Sequence, residues 1–241
     1  MNALHLSIGE PFKSNAWGSN FVVFSSESGN SIPEDSVKDY LVKACRYAKH
    51  YNVYLVPERF MLMGHHSMCL ISPEGRVMGA QKAAFHNLTH LYENRGGELN
   101  LLSTEFGSIF LCVDVDIYHP EIPRLVQVMG GAYMICSQFI DAGDYNTGMV
   151  TTGVWSAAQS CSMFVVGVSN QFNCVCAPRR LTQNDDGFII TPRSKMPIRV
   201  DMQAEHLARL PQRDFLPRKF YAMHRDDICG AAPHPNNHAP V

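Results

Sequence analysis

The sequence has little net charge and no long apolar run, and both absences limit what the protein can do. Its 241 residues carry 20 Lys and Arg against 22 Asp and Glu, a formal net charge of -2, and the basic residues are scattered singly. Such a charge distribution attracts neither nucleic acid nor an anionic membrane, so we expect no such partner. No stretch approaches the roughly 20 apolar residues of a spanning helix, and the first residues lack the pattern of a signal peptide. The sequence therefore predicts a cytoplasmic protein.

The chain also lacks the cysteine and histidine spacings of disulfide frameworks and structural zinc sites. Most of its eight cysteines stand inside apolar runs, which favours buried free thiols over disulfides. Cys174 and Cys176 are one residue apart and have no second pair to complete a zinc site. His86 and His90, with Glu93, have helical spacing for zinc, but the Asn and Gly residues around them favour a loop. We predict no metal and no cofactor.

The hydrophobic content, 46% of the residues, is enough for one large core. We predict a single domain over residues 1–230. The residues from 231 to 241 are rich in Pro, His and Asn, which predicts a mobile tail.

Strand and helix patterns alternate along the chain, with hairpins mixed in, and this combination predicts an α/β layered fold with a partly antiparallel sheet. We expect helices from 33, over 121–129 and over 154–163, and a hairpin around Pro73-Glu74-Gly75. A late hairpin is expected from 188–190 and 198–201. The other predicted strands are 4–8, 20–24, 52–56, 99–103, 109–114, 132–136 and 164–168.

Three charged residues follow apolar strands: Glu27, Lys82 and Asp114. Parallel strands carry their chemistry at their carboxyl ends, so these side chains are expected to converge. An acid, an amine and a third group on three strand ends are how a base, an electrostatic clamp and a nucleophile are assembled. The run 108–121 predicts a buried strand, a tight acidic turn and a helix that starts near Pro120.

These strand ends resemble the carbon-nitrogen hydrolase, or nitrilase, superfamily. The resemblance runs from about Phe21 to Asp201 and rests on five segments in register: 21–27, 71–82, 104–132, 164–170 and 186–192. It implies a four-layer α-β-β-α sandwich, a small amide or nitrile substrate, and a homodimer or larger assembly through the helix after Asp114. It implies that Glu27 is the base and Lys82 the clamp. Substrate-binding positions are implied at Glu93, Val115, Asp116 and Gln138.

The sequence departs from the family at the nucleophile, because Asp114 stands where the family has cysteine. A carboxylate is a weak nucleophile toward amides and forms no thioester. Two interpretations remain: an ion-paired carboxylate beside Lys82 that orients a water for hydrolysis, and a catalytically silent member that binds a ligand or partner. Cys112 lies deeper on the same strand and is interpreted as a packed thiol. The family's first long helix has no room between Ile8 and Asn20.

Asp114-Val115-Asp116 also fits two unrelated classes. Haloacid-dehalogenase-like phosphatases use Asp-x-Asp with magnesium, and some glycosyltransferases use it with manganese. Both need further acids downstream, and this chain offers Asp141, Asp144, Asp185 and Asp186. No glycine-rich phosphate loop accompanies the motif, so the hydrolase interpretation is preferred.

Overall fold

The computed structural model describes residues 2–13, 16, 18–25, 30–84, 99–141, 143–193 and 196–210. Several sequence predictions lie outside these residues: Glu27, the possible zinc ligands with Glu93, the domain boundary at 230 and the tail. Within the described ranges, no helix combines the length and the apolar character that crossing a membrane requires.

The first sheet has seven strands, mostly from the first third of the chain: β1 (Leu4–Gly9), β2 (Phe21–Phe24), β3 (Tyr54–Val56), β4 (Phe60–Leu62), β5 (His65–Ile71), β6 (Val77–Lys82) and β13 (Ile198–Met202). Its order is β13-β1-β2-β3-β5-β4, and β6 pairs with β5. β1, β2 and β3 are parallel, whereas the other pairings are antiparallel.

The second sheet has six strands: β7 (Leu101–Thr104), β8 (Gly107–Val113), β9 (Tyr133–Gln138), β10 (Phe164–Ser169), β11 (Asn173–Cys176) and β12 (Phe188–Arg193). Its order is β12-β11-β10-β9-β8-β7. The three central strands β8, β9 and β10 are parallel, and the outer ones are antiparallel. The predicted mixture of parallel strands and hairpins is therefore confirmed.

Within the described residues, five α-helices accompany the sheets: α1 (Val37–Tyr51), α2 (Glu121–Val128), α3 (Thr147–Val150), α4 (Ser156–Cys161) and α5 (Ala204–Ala208). A π-helical turn, Thr151–Trp155, joins α3 to α4, so this helical stretch begins earlier than the sequence predicts. Short 3-10 helices lie at Glu34–Ser36, Asp114–Tyr118 and Arg179–Leu181.

The strand β8 shows why the layers form. Ile109, Leu111 and Val113 are fully buried in the core between the two sheets. Phe110 and Cys112, which point the other way, are buried in a second core with residues of α2 and α4. Because both faces are covered, the strand is apolar throughout.

On the other side of the molecule, α1 packs against the outer face of the first sheet. Val37, Ala44, Tyr47 and Ala48 are its buried residues, and they share a third core with strand residues of that sheet. The three cores separate four layers, and the predicted α-β-β-α sandwich is confirmed. The helix ends where Asn52 adopts a left-handed conformation, with φ of 52°.

The predicted late hairpin is wrong. β12 pairs with β11 in the second sheet, whereas β13 pairs antiparallel with β1 in the first sheet. The chain crosses from one sheet to the other between these strands because Ile198 and Met202 are buried in the core between the sheets, beside β1. The local sequence pattern predicts both strands but not the strands with which they pair.

The beginning of the sheet is intact although the connection is short. Residues 10–20 link β1 to the parallel β2, and no helix forms among the described ones. β13 covers the other side of β1. Two short strands, β4 and β11, were not predicted from the sequence.

Candidate functional site

The predicted strand, acidic turn and helix are present at the end of β8. The strand ends at Val113, the turn spans Asp114–Tyr118, and α2 begins at Glu121. Asp114 has a φ of 54°, a left-handed conformation that costs a non-glycine residue about 1–2 kcal/mol and that Asp tolerates better than most. Strain at the end of a central strand points to a functional position.

The cation beside Asp114 is Arg59. A guanidinium nitrogen of Arg59 lies 3.1 Å from Oδ1 of Asp114, with 3% of the Arg59 side chain exposed and 22% of the Asp114 side chain. The same Oδ1 accepts a hydrogen bond from the backbone N–H of Phe139 at 3.1 Å. Burial lowers the pKa of Arg59, and the Asp114 carboxylate opposes that shift. The ion pair joins the chain after β3 to the end of β8, and so links the two sheets.

A pocket lies beside this pair, at the carboxyl ends of the parallel strands. Its empty volume is about 270 Å³, part of it open to solvent. It opens after β2 and β3 on one sheet and after β9 and β10 on the other, where α/β sheets hold their ligands. The lining residues are Phe24, Ser25, Asn30, Glu58, Arg59, Ser137, Gln138, Val168 and Ser169.

Most of the polar lining groups are neutral and already oriented by hydrogen bonds. Ser25 donates from its hydroxyl to Oδ1 of Asn173 at 2.7 Å, across the two sheets. Gln138 donates from Nε2 to the hydroxyl of Tyr118 at 2.9 Å. Burial raises the pKa of Tyr118 to about 12, so its hydroxyl stays neutral. These contacts fix the lining side chains before a ligand arrives.

Lys82 occupies the last position of β6, and strand pairing defines the direction of its side chain. It pairs with Ser67 on β5, while the adjacent Gln81 pairs with Met68. Met68 and Ala83 are buried in the core between the sheets. Because side chains alternate along a strand, Lys82 lies on the opposite face of the sheet, towards the α1 layer. In the described part of the chain the cation paired with Asp114 is Arg59 and not Lys82. The catalytic role of Lys82 stays a prediction.

The other predicted positions differ in their placement. Asp116 is fully buried, and its Oδ2 accepts a hydrogen bond from the N–H of Ala84 at 2.8 Å, which ties the end of β6 to the turn. Val115 is half-buried in the turn, and neither residue lines the pocket described above. Gln138 does line it. The substrate-binding roles stay predictions, as do those of Glu27 and Glu93.

The thiols nearest the turn are sequestered. Cys112 and Cys136 are partners in the pairing of β8 and β9, and both are fully buried. Burial, reinforced by the neighbouring Cys136, raises the pKa of Cys112 well above its usual range. A neutral buried thiol is no nucleophile, so the interpretation of Cys112 as a packing residue agrees with the structure.

The structure gives no support to the metal-dependent alternatives. The described part of the chain contains no cluster of three or more His, Cys, Asp or Glu side chains that could hold an ion. Asp114 faces a cation instead, and Asp116 is bound to a backbone N–H.

Sequence reasoning missed Arg59, the residue that pairs with Asp114. The signal was present: the strand β3 is followed by Pro57-Glu58-Arg59, two charges after an apolar strand. Ser25, Asn30, Ser137 and Ser169 were also missed, because neutral polar residues at strand ends are common.

No protein-family model matches the chain, and no curated protein matches it in sequence. Solved structures do match. A carbon-nitrogen hydrolase from Helicobacter pylori G27 has a TM-score of 0.68 at 12% identity, over 95% of this chain and 97% of that one. A cysteine-to-alanine mutant of a nitrilase-superfamily amidase from Nesterenkonia AN1 has a TM-score of 0.64 at 13% identity, over 92% and 96%.

The chain therefore has the fold of nitrilase-superfamily carbon-nitrogen hydrolases, over nearly the full length of both proteins. At this identity the likeness shows the fold alone. Two further structures of the Nesterenkonia amidase hold acrylamide and, at its active-site cysteine, the acetamide moiety of fluoroacetamide.

Proposed function

We propose that this chain binds a small neutral amide or nitrile in the pocket beside Arg59 and does not cleave it through a covalent intermediate. The observation that carries the proposal is the ion pair between Arg59 and Asp114, at the end of β8, where the sequence resemblance places a nucleophile. The fold that the chain shares with amidases supports the class of ligand.

The lining of the pocket favours a neutral ligand. Ser25 and Gln138 keep hydrogen-bonding capacity beyond their contacts with Asn173 and Tyr118, because the Ser25 hydroxyl can still accept and the Gln138 amide can still donate and accept. Ser137 adds a further hydroxyl to the lining. An amide has the complementary carbonyl and N–H groups. An anionic ligand would lose its hydration and gain little in return, because the carboxylate of Asp114 already neutralises Arg59, the cation of the described lining.

The chemistry of Asp114 argues against covalent cleavage. A carboxylate is a poor nucleophile toward an amide and would have to form an anhydride. Its Oδ1 is also engaged by Arg59 and by the N–H of Phe139, which stabilise the negative charge and weaken attack further.

A second candidate is direct hydrolysis of the same compounds by water. The side chain of Asp114 keeps 22% of its surface exposed, so it can hold a water molecule. In this alternative Glu27 would be the base, Lys82 would stabilise the oxyanion, and Asp114 would orient the water. It ranks second because strand alternation directs Lys82 away from the core between the sheets.

Ammonia release and ligand binding, measured on one panel of amides and nitriles, separate the two candidates. Acetamide has four heavy atoms, which supply at most about 6 kcal/mol, so titrations must extend into the millimolar range. We expect the natural chain to gain thermal stability from an amide and to release no ammonia. Release that Asp114→Ala abolishes would establish hydrolysis instead, and Glu27→Gln and Lys82→Met would then test the other two roles.

The variant Asp114→Cys tests the origin of the site. If this variant releases ammonia and the natural chain does not, the natural site lacks only the nucleophile. Its control is Asp201→Asn, at an ion pair of the exposed edge of the first sheet. An absence of amide binding to the natural chain would overturn the proposal.

We also propose that copies of the chain associate through the α2 side. Leu125 and Met129, on or next to this helix, are four residues apart and therefore on one face, and each exposes 44% of its surface. Sedimentation equilibrium would detect the assembly.

A further inference from the structure

We propose that the pair of Arg59 and Asp114 sets the charge preference of the pocket, so that it accepts a neutral ligand and rejects the anionic and cationic isosteres of that ligand. The inference deepens the proposed function and rests on it, because it assumes that small amides enter this pocket. It assigns a specificity-determining role to a residue, Arg59, that sequence reasoning did not identify.

The first step is the position of each charge relative to the ligand. Arg59 lines the pocket, whereas Asp114 lies 3.1 Å from its guanidinium and is not among the lining residues. A ligand in the pocket therefore contacts the guanidinium, and the carboxylate cancels much of its field. An anion gains little from a cation that is already neutralised, and it is repelled by Asp114.

The second step concerns Glu58, the other charged residue of the lining. Its Oε2 accepts a hydrogen bond from the hydroxyl of Tyr40 on α1 at 3.0 Å. Successive side chains of an extended backbone point in opposite directions, and here Glu58 reaches the α1 layer while Arg59 reaches the second sheet. Glu58 keeps this position in every variant proposed below, so a change in charge preference reports on Arg59 and Asp114.

The third step is the consequence of removing one charge. With Asp114 changed to Asn, the buried guanidinium of Arg59 no longer has the carboxylate of residue 114 beside it. A carboxylate on the ligand is then the group that best matches the N–H donors of the guanidinium. With Arg59 changed to Met, the carboxylate of Asp114 loses this neighbouring cation, and a cationic ligand becomes the better match. The two substitutions change the preference in opposite directions.

Acetate, acetamide and acetamidinium are suitable probes because they share one planar frame of four heavy atoms and differ in charge. We expect the natural chain to bind acetamide more tightly than either ion. In Asp114→Asn the affinity for acetate relative to acetamide should rise at least tenfold, which corresponds to about 1.4 kcal/mol. In Arg59→Met the relative affinity for acetamidinium should rise by a similar factor. The control, Asp201→Asn, removes a carboxylate from an exposed ion pair and should change no ratio.

Ligand-induced shifts in melting temperature provide the readout, because a ligand that binds only the folded state stabilises even a marginally stable variant. The double variant Arg59→Met/Asp114→Asn removes both charges of the pair, leaves Glu58 unchanged as in the natural chain, and should restore the preference for acetamide. If the natural chain binds acetamide but neither single variant changes its ratio by more than twofold, this inference is overturned and the proposed function stands. If the natural chain binds none of the three probes, both fail.

Discussion

Two pairs of side chains in this protein rank in opposite orders by distance and by burial. Arg59 and Asp114 lie 3.1 Å apart, with 3% and 22% of their side chains exposed. His5 and Asp201, which join the neighbouring strands β1 and β13 and form an ion pair when His5 is protonated, are closer, at 2.6 Å, but expose 46% and 75%. Water screens the exposed pair, which therefore contributes little to stability. The shorter distance does not mark the more important interaction.

Burial of the Arg59–Asp114 pair also costs free energy on folding. Both groups lose hydration on folding, and a well-packed apolar pair is often at least as stable. Asp114 adds backbone strain, with a φ of 54°. Two unfavourable features coincide on Asp114, directly behind the lining residue Arg59 of a strand-end pocket, which supports a functional rather than a stabilising reason for the pair.

The largest effect is expected from removing one charge of the buried pair. Asp114→Asn should lower the free energy of unfolding by about 3–5 kcal/mol, because the buried guanidinium of Arg59 loses the carboxylate beside it. Asn tolerates the left-handed conformation as Asp does, so backbone strain does not contribute. Scanning calorimetry measures the loss without adding urea, which is itself a small amide. The matched change at the exposed pair, Asp201→Asn, should cost less than about 1 kcal/mol. Equal losses at the two sites would contradict the comparison.

A smaller effect is expected when both charges are removed together. Arg59→Met/Asp114→Asn should recover about 2 kcal/mol or more of the loss seen in Asp114→Asn, because no buried charge is left uncompensated. A double-mutant cycle from calorimetric unfolding gives the coupling energy. Two losses that simply add would show that the groups do not interact, in spite of the 3.1 Å separation.

The structure around the turn could be predicted, whereas the partners of the late strands could not. The run from Ile109 to Val113 is apolar because both faces of β8 are covered, and that pattern is local. β12 and β13 are each recognisable as strands from their own residues, but they belong to different sheets. Their partners depend on burial against distant strands, which no local pattern encodes.

The candidate site shows the same limit at the scale of one residue. Asp114 was identified because it follows a buried strand directly. Lys82 follows an equally plausible strand, but the neighbouring Ala83 faces the core between the sheets and Lys82 the opposite side. A shift of one residue exchanges the faces, so the sequence alone cannot tell which of two neighbours enters a site. Arg59 was missed because its partner lies far along the chain.

The smallest expected effect concerns buried cysteine thiols, which are neutral, and tests whether burial also controls their contribution to stability. Cys69 is 1% exposed, and burial raises the pKa of its thiol to about 12. In the unfolded chain a thiol has a pKa of about 8.5. Between these two values only the unfolded state ionises, so the stabilisation is fully present below about pH 8.5 and is lost progressively up to about pH 12.

At pH 9.5 this thiol should lower the free energy of unfolding by about 1.4 kcal/mol relative to pH 7. Calorimetric unfolding of the natural chain and of Cys69→Ala, each measured at both pH values, isolates the contribution of this thiol. The pH dependence of each protein is taken against itself, and the difference between the two belongs to Cys69. Cys45 is half-buried, and its thiol pKa is also raised by burial. If burial controls the effect, Cys45→Ala should reduce the pH dependence of the free energy of unfolding less than Cys69→Ala does. The reverse order would show that the exposure of a thiol does not determine the size of its contribution.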